Sequence, residues 1–394
     1  MVTFIKQLKP LVINEKSSIF QERVVSRDGS LWKILKMCGI DIFESSVKTK
    51  CCQLKVKFCL LLMHVTQIYI VSACTLSYFS NMTPLTILLP FAFSSIFPLA
   101  VWYATFAKRN AIRDIILEYH RNNIPQTKSF LYRKYVINSL LAVTFLIPVI
   151  SAIGCMTSVE QDIAMKLYYS FHLCLEENFY SISLRFIVAH LIFFNQYIFV
   201  TIVSVMCGIL YYHLSDLIRR FSGDLRCLQC RPFHHKDLLI RMQLHTSLFK
   251  LAHQLHNATS MTTCFILCSQ FVNMFVVLTV CIMIGKEHWS APLKWESVPE
   301  MSLIPISIVG MILCASRIPA QVENCNMSLQ LLRDRLICES EMNWKNLLLV
   351  KVMMDKKFPH MSACSLAKFT PQLIVSIFGT FFTYGLLIVN MSVG

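Results

Sequence analysis

Phe58-Cys-Leu-Leu-Leu-Met-His-Val-Thr-Gln-Ile-Tyr-Ile-Val-Ser-Ala-Cys-Thr-Leu-Ser-Tyr-Phe79 runs for 22 residues without Asp, Glu, Lys or Arg. At 1.5 Å of rise per residue such a run crosses the roughly 30 Å hydrocarbon core of a bilayer as one α-helix. A helix is the form expected, because it satisfies its own backbone hydrogen bonds in lipid and because the short alternating segments of a membrane barrel are missing. Working outward, comparable stretches recur near residues 84–107, 135–156, 186–211, 262–285, 301–318 and 371–391. The sixth is short, and Arg317 at its inner end is expected to snorkel. Composition agrees, since 55% of the 394 residues are hydrophobic and 15% are charged, against about 25% charged in soluble proteins. A soluble globule and a disordered chain are both excluded.

Orientation follows from the basic residues. Eleven Lys and Arg precede the first stretch; the six connections carry 0, 7, 2, 7, 2 and 8, and none follows the last. The alternation places 33 on one side and 4 on the other, so the positive-inside rule puts the N-terminus in the cytoplasm and the C-terminus outside. That is the reverse of a G-protein-coupled receptor. Seven acidic residues fall outside (Glu160, Asp162, Glu176, Glu177, Glu287, Glu296 and Glu300), a net of −3 there and +18 inside, and an outer face of that sign gathers cations. The expected architecture is an all-α integral membrane protein of seven transmembrane helices. Its divisions are a cytoplasmic segment at 1–57, spans one to six at 58–320, cytoplasmic anchor helices at 321–370 and a last helix at 371–394.

The fourth and sixth connections look helical. Leu214, Ile218, Phe221 and Leu225 share one helical face, as do Leu244, Leu248, Leu251 and Leu255, and again Cys325, Leu329, Leu332 and Leu336. Spans four to six are therefore expected to continue as a cytoplasmic bundle, with a turn near Gly223–Pro232 and a further helix over Asn343–Lys357. The stripes serve either packing within the chain or contact between subunits.

Enzyme chemistry has no foothold. No phosphate-cradling glycine loop, Ser/His/Asp set, intramembrane carboxylate pair or His-Glu-x-x-His is present, and no cofactor is implied. Basic runs interleaved with aromatics, which would mark nucleic acid as a partner, are absent too. Cys227 and Cys230 followed by His234 and His235 form a single weak zinc-like cluster. Cys155 and Cys174 are the two cysteines at or beyond an outer boundary. His64 and His190 read as neutral imidazoles bonded to neighbouring helices. What remains is a set of polar and aromatic residues in the outer halves of the spans: Tyr180, His190, Phe194, Asn195, Asn273, Phe275 and Ser307, with Phe91 and Phe93 in span two. A mostly apolar cavity with a few hydrogen-bonding groups suits a small organic ligand, and helix packing accounts for each residue as well. Tyr168, Tyr169 and Phe171 join Tyr180 as a possible lid.

The last stretch reads Ser376-Ile-Phe-Gly-Thr-Phe-Phe-Thr-Tyr-Gly-Leu-Leu-Ile-Val-Asn-Met391. It resembles the C-terminal signature of arthropod gustatory receptors, Ser-Ile-hydrophobic-Gly-Thr followed by Thr-Tyr, five mostly hydrophobic residues and Gln-Phe. Thr383 and Tyr384 match; Asn390 stands for Gln and Met391 for Phe. About thirty residues carry the resemblance, and insect odorant receptors share the topology. The resemblance implies a homo- or heterotetrameric ligand-gated cation channel in the plasma membrane of gustatory neurons. It further implies a small-molecule tastant bound in the outer bundle and four last helices around the pore. Ser376, Thr380, Thr383, Leu387 and Asn390 form one mildly polar stripe at intervals of 4, 3, 4 and 3. On the implied architecture Leu387 is the gate and Asn390 the selectivity ring, while by periodicity alone the same stripe packs on other helices. Gly385 stands where sugar-sensing members carry Glu, which points away from sugars and toward another tastant such as a bitter compound. A metabotropic receptor, a transporter and a non-conducting subunit are the alternatives.

Overall fold

The computed structural model describes residues 29–43, 50–80, 89, 92–122, 127–158, 163–229, 235–283, 291–338 and 344–393. A short helix α1 (Ser30–Met37) precedes α2 (Lys50–Phe79), α3 (Ile96–Asn122) and α4 (Thr127–Ser158). Then come α5 (Ile163–Tyr169), α6 (Phe179–Phe193), a π-helical turn at Phe194–Ile198, and α7 (Phe199–Gln229). The chain continues through α8 (His235–Met283), α9 (Ala291–Cys338), α10 (Trp344–Met354), a hairpin of β1 (Ser362–Ala363) and β2 (Ala367–Lys368), and α11 (Pro371–Val393).

Five stretches among the described residues are long and apolar enough to cross a membrane: Val56–Phe79, Tyr135–Thr157, Phe179–Leu228, His235–Leu278 and Lys294–Cys338. Pro371–Leu387 is apolar but shorter. The second expected stretch, 84–107, falls partly outside the described residues, and its later half lies on α3. The fourth begins earlier than hydropathy indicates. Asn178 caps α6, its side-chain oxygen accepting from the Ser181 amide at 2.9 Å while Ser181 Oγ accepts from the Asn178 amide at 3.2 Å. This reciprocal cap satisfies two donors that a bare helix end leaves open.

Spans four to six do continue as helices, since α8 has 49 residues and α9 has 48, each more than twice what a bilayer needs. The turn expected near Gly223–Pro232 is not at Gly223 itself. Helix α7 passes through Gly223 to Gln229, and 230–234 lie outside the described residues. The predicted extra helix is α10.

The three stripes are consumed within the chain. Leu214, Ile218, Phe221 and Leu225 from α7, Leu248, Leu251 and Leu255 from α8, and Cys325, Leu329, Leu332 and Leu336 from α9 are all buried in the main core, with Leu244 half-buried beside them. Where these extensions stand in water, burying each large side chain stabilises by about 1.5–3 kcal/mol. Inside lipid that driving force is missing and helix contact rests on close packing and polar bonds. Two such devices are visible. Gly154 on α4 admits the Trp295 ring of α9 so closely that an added Cβ would lie 2.2 Å from it. The exposed Arg317, expected to snorkel, sets its guanidinium 5.0 Å from the centre of the Tyr212 ring, a cation–π contact.

Candidate functional site

Separate from the main core, a second apolar cluster joins α2 (Ile70, Ala73, Cys74), α4 (Ala152, Cys155), α5 (Tyr168, Tyr169), α6 (Ala189, Ile192, Phe193), Tyr197 of the π turn and Leu303 of α9. On its α9 side two carboxylates sit one helical turn apart. Glu296 accepts a hydrogen bond from the Tyr169 hydroxyl and Glu300 one from Tyr197. Glu300 is only 5% exposed, and a carboxyl so buried is tolerated because it is hydrogen-bonded.

The connection after α5 is pinned over this cluster. Tyr69 donates to the Tyr168 carbonyl at 2.5 Å, Ser77 pairs with His172 at 3.0 Å, and Phe171 packs on Tyr69 with ring centres 5.5 Å apart. Arg185, buried on α6, donates to Ser170 at 2.8 Å and meets Glu177 at 3.4 Å, where Lys166 also arrives at 2.8 Å. Glu177 is thereby held below the ordinary carboxylate pKa, chiefly by its bond to Lys166. Of the expected lid, Tyr168 and Tyr169 are part of the core, while Tyr180 is 81% exposed at the first turn of α6.

Around the same cluster several buried polar atoms have no hydrogen-bond partner: Ser151 Oγ on α4, Nδ1 of His190 on α6, Oδ1 of Asn195 and both ends of the Gln196 amide on the π turn. Each such group costs about 1–3 kcal/mol when left unmet in an apolar interior. A bound molecule with hydrogen-bonding groups, or water, would meet them. The π turn places both amides in the buried face of the span, and such turns concentrate at functional sites.

The structure divides the expected ligand residues. His190 stacks on Phe186, which packs against the second cluster, Asn195 is buried on the π turn, and Phe194 packs against the main core. Ser307 and Asn273 lie in the main bundle, where Ser307 accepts from the Gln270 amide and its carbonyl accepts from Ser204 at 3.2 Å. Phe275 instead faces α11, its ring 5.0 Å from Phe381 and 5.4 Å from Tyr384. Phe93 is exposed against Phe97, and Phe91 is outside the described residues. Sequence reasoning missed Glu296, Glu300, Tyr197, Ser151 and Gln196. The carboxylates at i and i+4 before the sixth apolar run, and the paired amides Asn195-Gln196 inside an apolar span, were the available signals.

Helix α11 docks by Ile377 and Phe381, buried against α8, with Phe271 adding a ring contact of 5.2 Å to Phe381. Ser376, Thr380, Thr383, Leu387 and Asn390 are all exposed. The Thr380 and Thr383 hydroxyls donate to carbonyls of their own helix at 2.8 and 2.9 Å. At about 100° per residue the stripe lies roughly a third of a turn from the docked face. A third face, with Val375, Phe382 and Leu386, is exposed and wholly apolar. The Met391 side chain is outside the described residues.

Other candidates come apart. Among the described residues no group of His, Cys, Asp and Glu forms a metal site; Cys227 is an exposed free thiol, the His235 ring bonds Asn346 at 2.6 Å, and Cys230 and His234 are not described. Cys155 is buried and Cys174 exposed, and they are not joined in a disulfide. His64 does bond a neighbouring helix, through the Tyr103 hydroxyl at 3.1 Å.

No family model and no curated protein matches the chain. The fold itself is found among solved structures. The insect olfactory receptor OR5 from Machilis hrabei in complex with eugenol superposes with a TM-score of 0.70 at 11% identity, over 95% of this chain and 99% of that one. A second structure of the same receptor gives 0.68 at 11% identity with the same coverage. The chain therefore has the helical membrane architecture of an insect olfactory receptor.

Proposed function

We propose that this chain is an insect-type chemoreceptor of the gustatory branch: a ligand-gated, non-selective cation channel of the plasma membrane that detects small tastant molecules. The observation that carries the reading is α11, a helix docked by one face whose polar stripe is left uncovered by its own bundle. A seven-span topology with the N-terminus inside agrees with the division of 33 basic residues from 4. Four copies around an axis would bring the Ser376, Thr380, Thr383, Leu387 and Asn390 stripes together, Leu387 closing the conduit by dewetting and Asn390 amides replacing part of an ion's hydration. Outer acidic residues favour cations.

Ligand enters the second cluster, where the orphan polar atoms of Ser151, His190, Asn195 and Gln196 receive its hydrogen-bonding groups. Binding favours whichever arrangement of the π turn meets them best, and the ring contact of Phe275 with Phe381 and Tyr384 relays the change to α11. The Thr383-Tyr384 pattern supports taste as the sense served. The likeness to an olfactory receptor supports the second reading, an odorant receptor of the same architecture, and the class of effective ligand separates the two.

Patch recording from cells expressing this chain alone, under a broad tastant panel, tests the proposal. Currents with unitary steps are expected, and Asn390→Ala or Leu387→Ala shifts ion selectivity or resting leak. Permeation unchanged by both substitutions removes the stripe from the pore; saturable uptake without unitary current makes the chain a transporter. An N-terminal epitope that antibodies reach in unpermeabilised cells reverses the orientation.

A further inference from the structure

The hairpin that leads into α11 is fastened to α8 by a single residue. Cys364 occupies the turn between β1 and β2 with φ of 48°, a left-handed conformation that Ser365 shares at 61°. Such values are costly for residues with a side chain. The Cys364 amide donates to Ser260 Oγ at 2.9 Å and to the Ser260 carbonyl at 3.3 Å. Its sulfur lies 3.7 Å from that carbonyl and 3.6 Å from the Met261 sulfur. One turn further along α8 from Ser260 stands Cys264, and Cys268 follows one turn later. All three cysteines are free and half-buried, so the hairpin and α8 each bring a thiol to this junction, within reach of a small oxidant.

We propose that Cys264 and Cys364 form a peroxide-sensitive dithiol site whose disulfide ties the hairpin, and with it the start of α11, to α8. The Cys364 thiolate attacks one oxygen of hydrogen peroxide, the O–O bond breaks, and the departing hydroxide takes up a proton as water, leaving a sulfenic acid. The Cys264 sulfur then displaces the hydroxyl from that sulfur; with the thiol proton it leaves as a second water, and the S–S bond forms. Two thiols are oxidised by two electrons and one peroxide is reduced to two waters. Ser260 holds Cys364 on α8 one helical turn from Cys264, which brings the two residues to the same junction. The hairpin is now held by these hydrogen bonds and by the burial of Met361, Ala363 and Phe369 in the main core, and the bond adds a covalent restraint at its strained turn. Burial keeps the Cys364 thiol above the usual thiol pKa, so the thiolate is scarce at neutral pH and the reaction accelerates as pH rises.

The test uses the full-length chain in membranes, treated with graded hydrogen peroxide, quenched with N-ethylmaleimide and mapped by mass spectrometry. Expected is joint loss of the maleimide labels at Cys264 and Cys364, recovered by dithiothreitol, with a linked peptide pair that persists in Cys268→Ser and disappears in Cys264→Ser and in Cys364→Ser. Backbone hydrogen exchange over 362–370 should slow on oxidation in the parent chain and stay unchanged in Cys364→Ser. Full labelling of both cysteines at peroxide levels that oxidise the exposed Cys227 and Cys338 overturns the site. A link that vanishes in Cys268→Ser assigns the bond to the wrong pair, and exchange that does not slow removes the restraint. None of these readouts uses a ligand or a current, so they stand or fall apart from the channel reading.

Discussion

His245 is fully buried on α8 between the rings of Phe221 and Phe358, at 5.5 and 5.4 Å, and neither ring nitrogen has a hydrogen-bond partner. Burial, followed by the ammonium of Lys356, pushes its pKa from 6.5 to about 4. It lies some 17 residues, or roughly 25 Å, before the apolar run expected from Thr262, and so outside that run. The folded chain keeps the imidazole neutral, whereas the unfolded chain takes up a proton below about pH 6.5. Stability is therefore complete above that pH and is lost as pH falls toward about 4, by up to about 3 kcal/mol. Thermal unfolding in detergent should show the midpoint dropping between pH 7 and 4.5, and His245→Phe should flatten that slope. At this scale the sequence was a partial guide. It marked Leu248 and Leu251 as a buried face, yet His245 beside them is just as buried. Glu300 and Arg185 escaped because a hydropathy window weighs each charge alone, while their burial depends on partners that only the folded chain sets beside them, Tyr197 for the first and Ser170 and Glu177 for the second.

Helices were legible wherever side chains repeat at 3.6 residues, so the stripes on α7, α8 and α9 were placed correctly. Whether they met within one chain was not, since periodicity gives a face and not its partner. The π turn was invisible for a related reason: one extra residue in a turn leaves average hydropathy untouched. The docking of α11 is a matter of a few rings, and Phe381 is central, 7% exposed and touching both Phe271 and Phe275. Phe381→Ala should cost about 3–5 kcal/mol, read as a lowered unfolding midpoint. On the proposed function it also raises resting leak, because the helix is no longer held against α8.

As a whole the molecule is one chain with unfinished surfaces on its last helix. The helical membrane architecture could be read from where charges are missing, because the bilayer imposes a solvent that the sequence must answer residue by residue. Assembly could not, since an exposed stripe names no neighbour. If four stripes converge, Thr383→Cys brings thiols of adjacent copies together, and mild oxidation should yield a cross-linked dimer band beyond that of the parent chain. Val375→Cys, on the apolar face and 73% exposed, should not. Equal cross-linking at both positions places the axis elsewhere.

Helix α8 carries His245 toward one end and the Phe271 and Phe275 rings toward the other, without interruption over 49 residues. Such a rod is roughly 74 Å long and behaves as a lever arm. A tilt of about 3° around its midpoint swings each tip by about 2 Å, so a pivot that barely stirs at the centre displaces both extremities by about half the width of a methyl group.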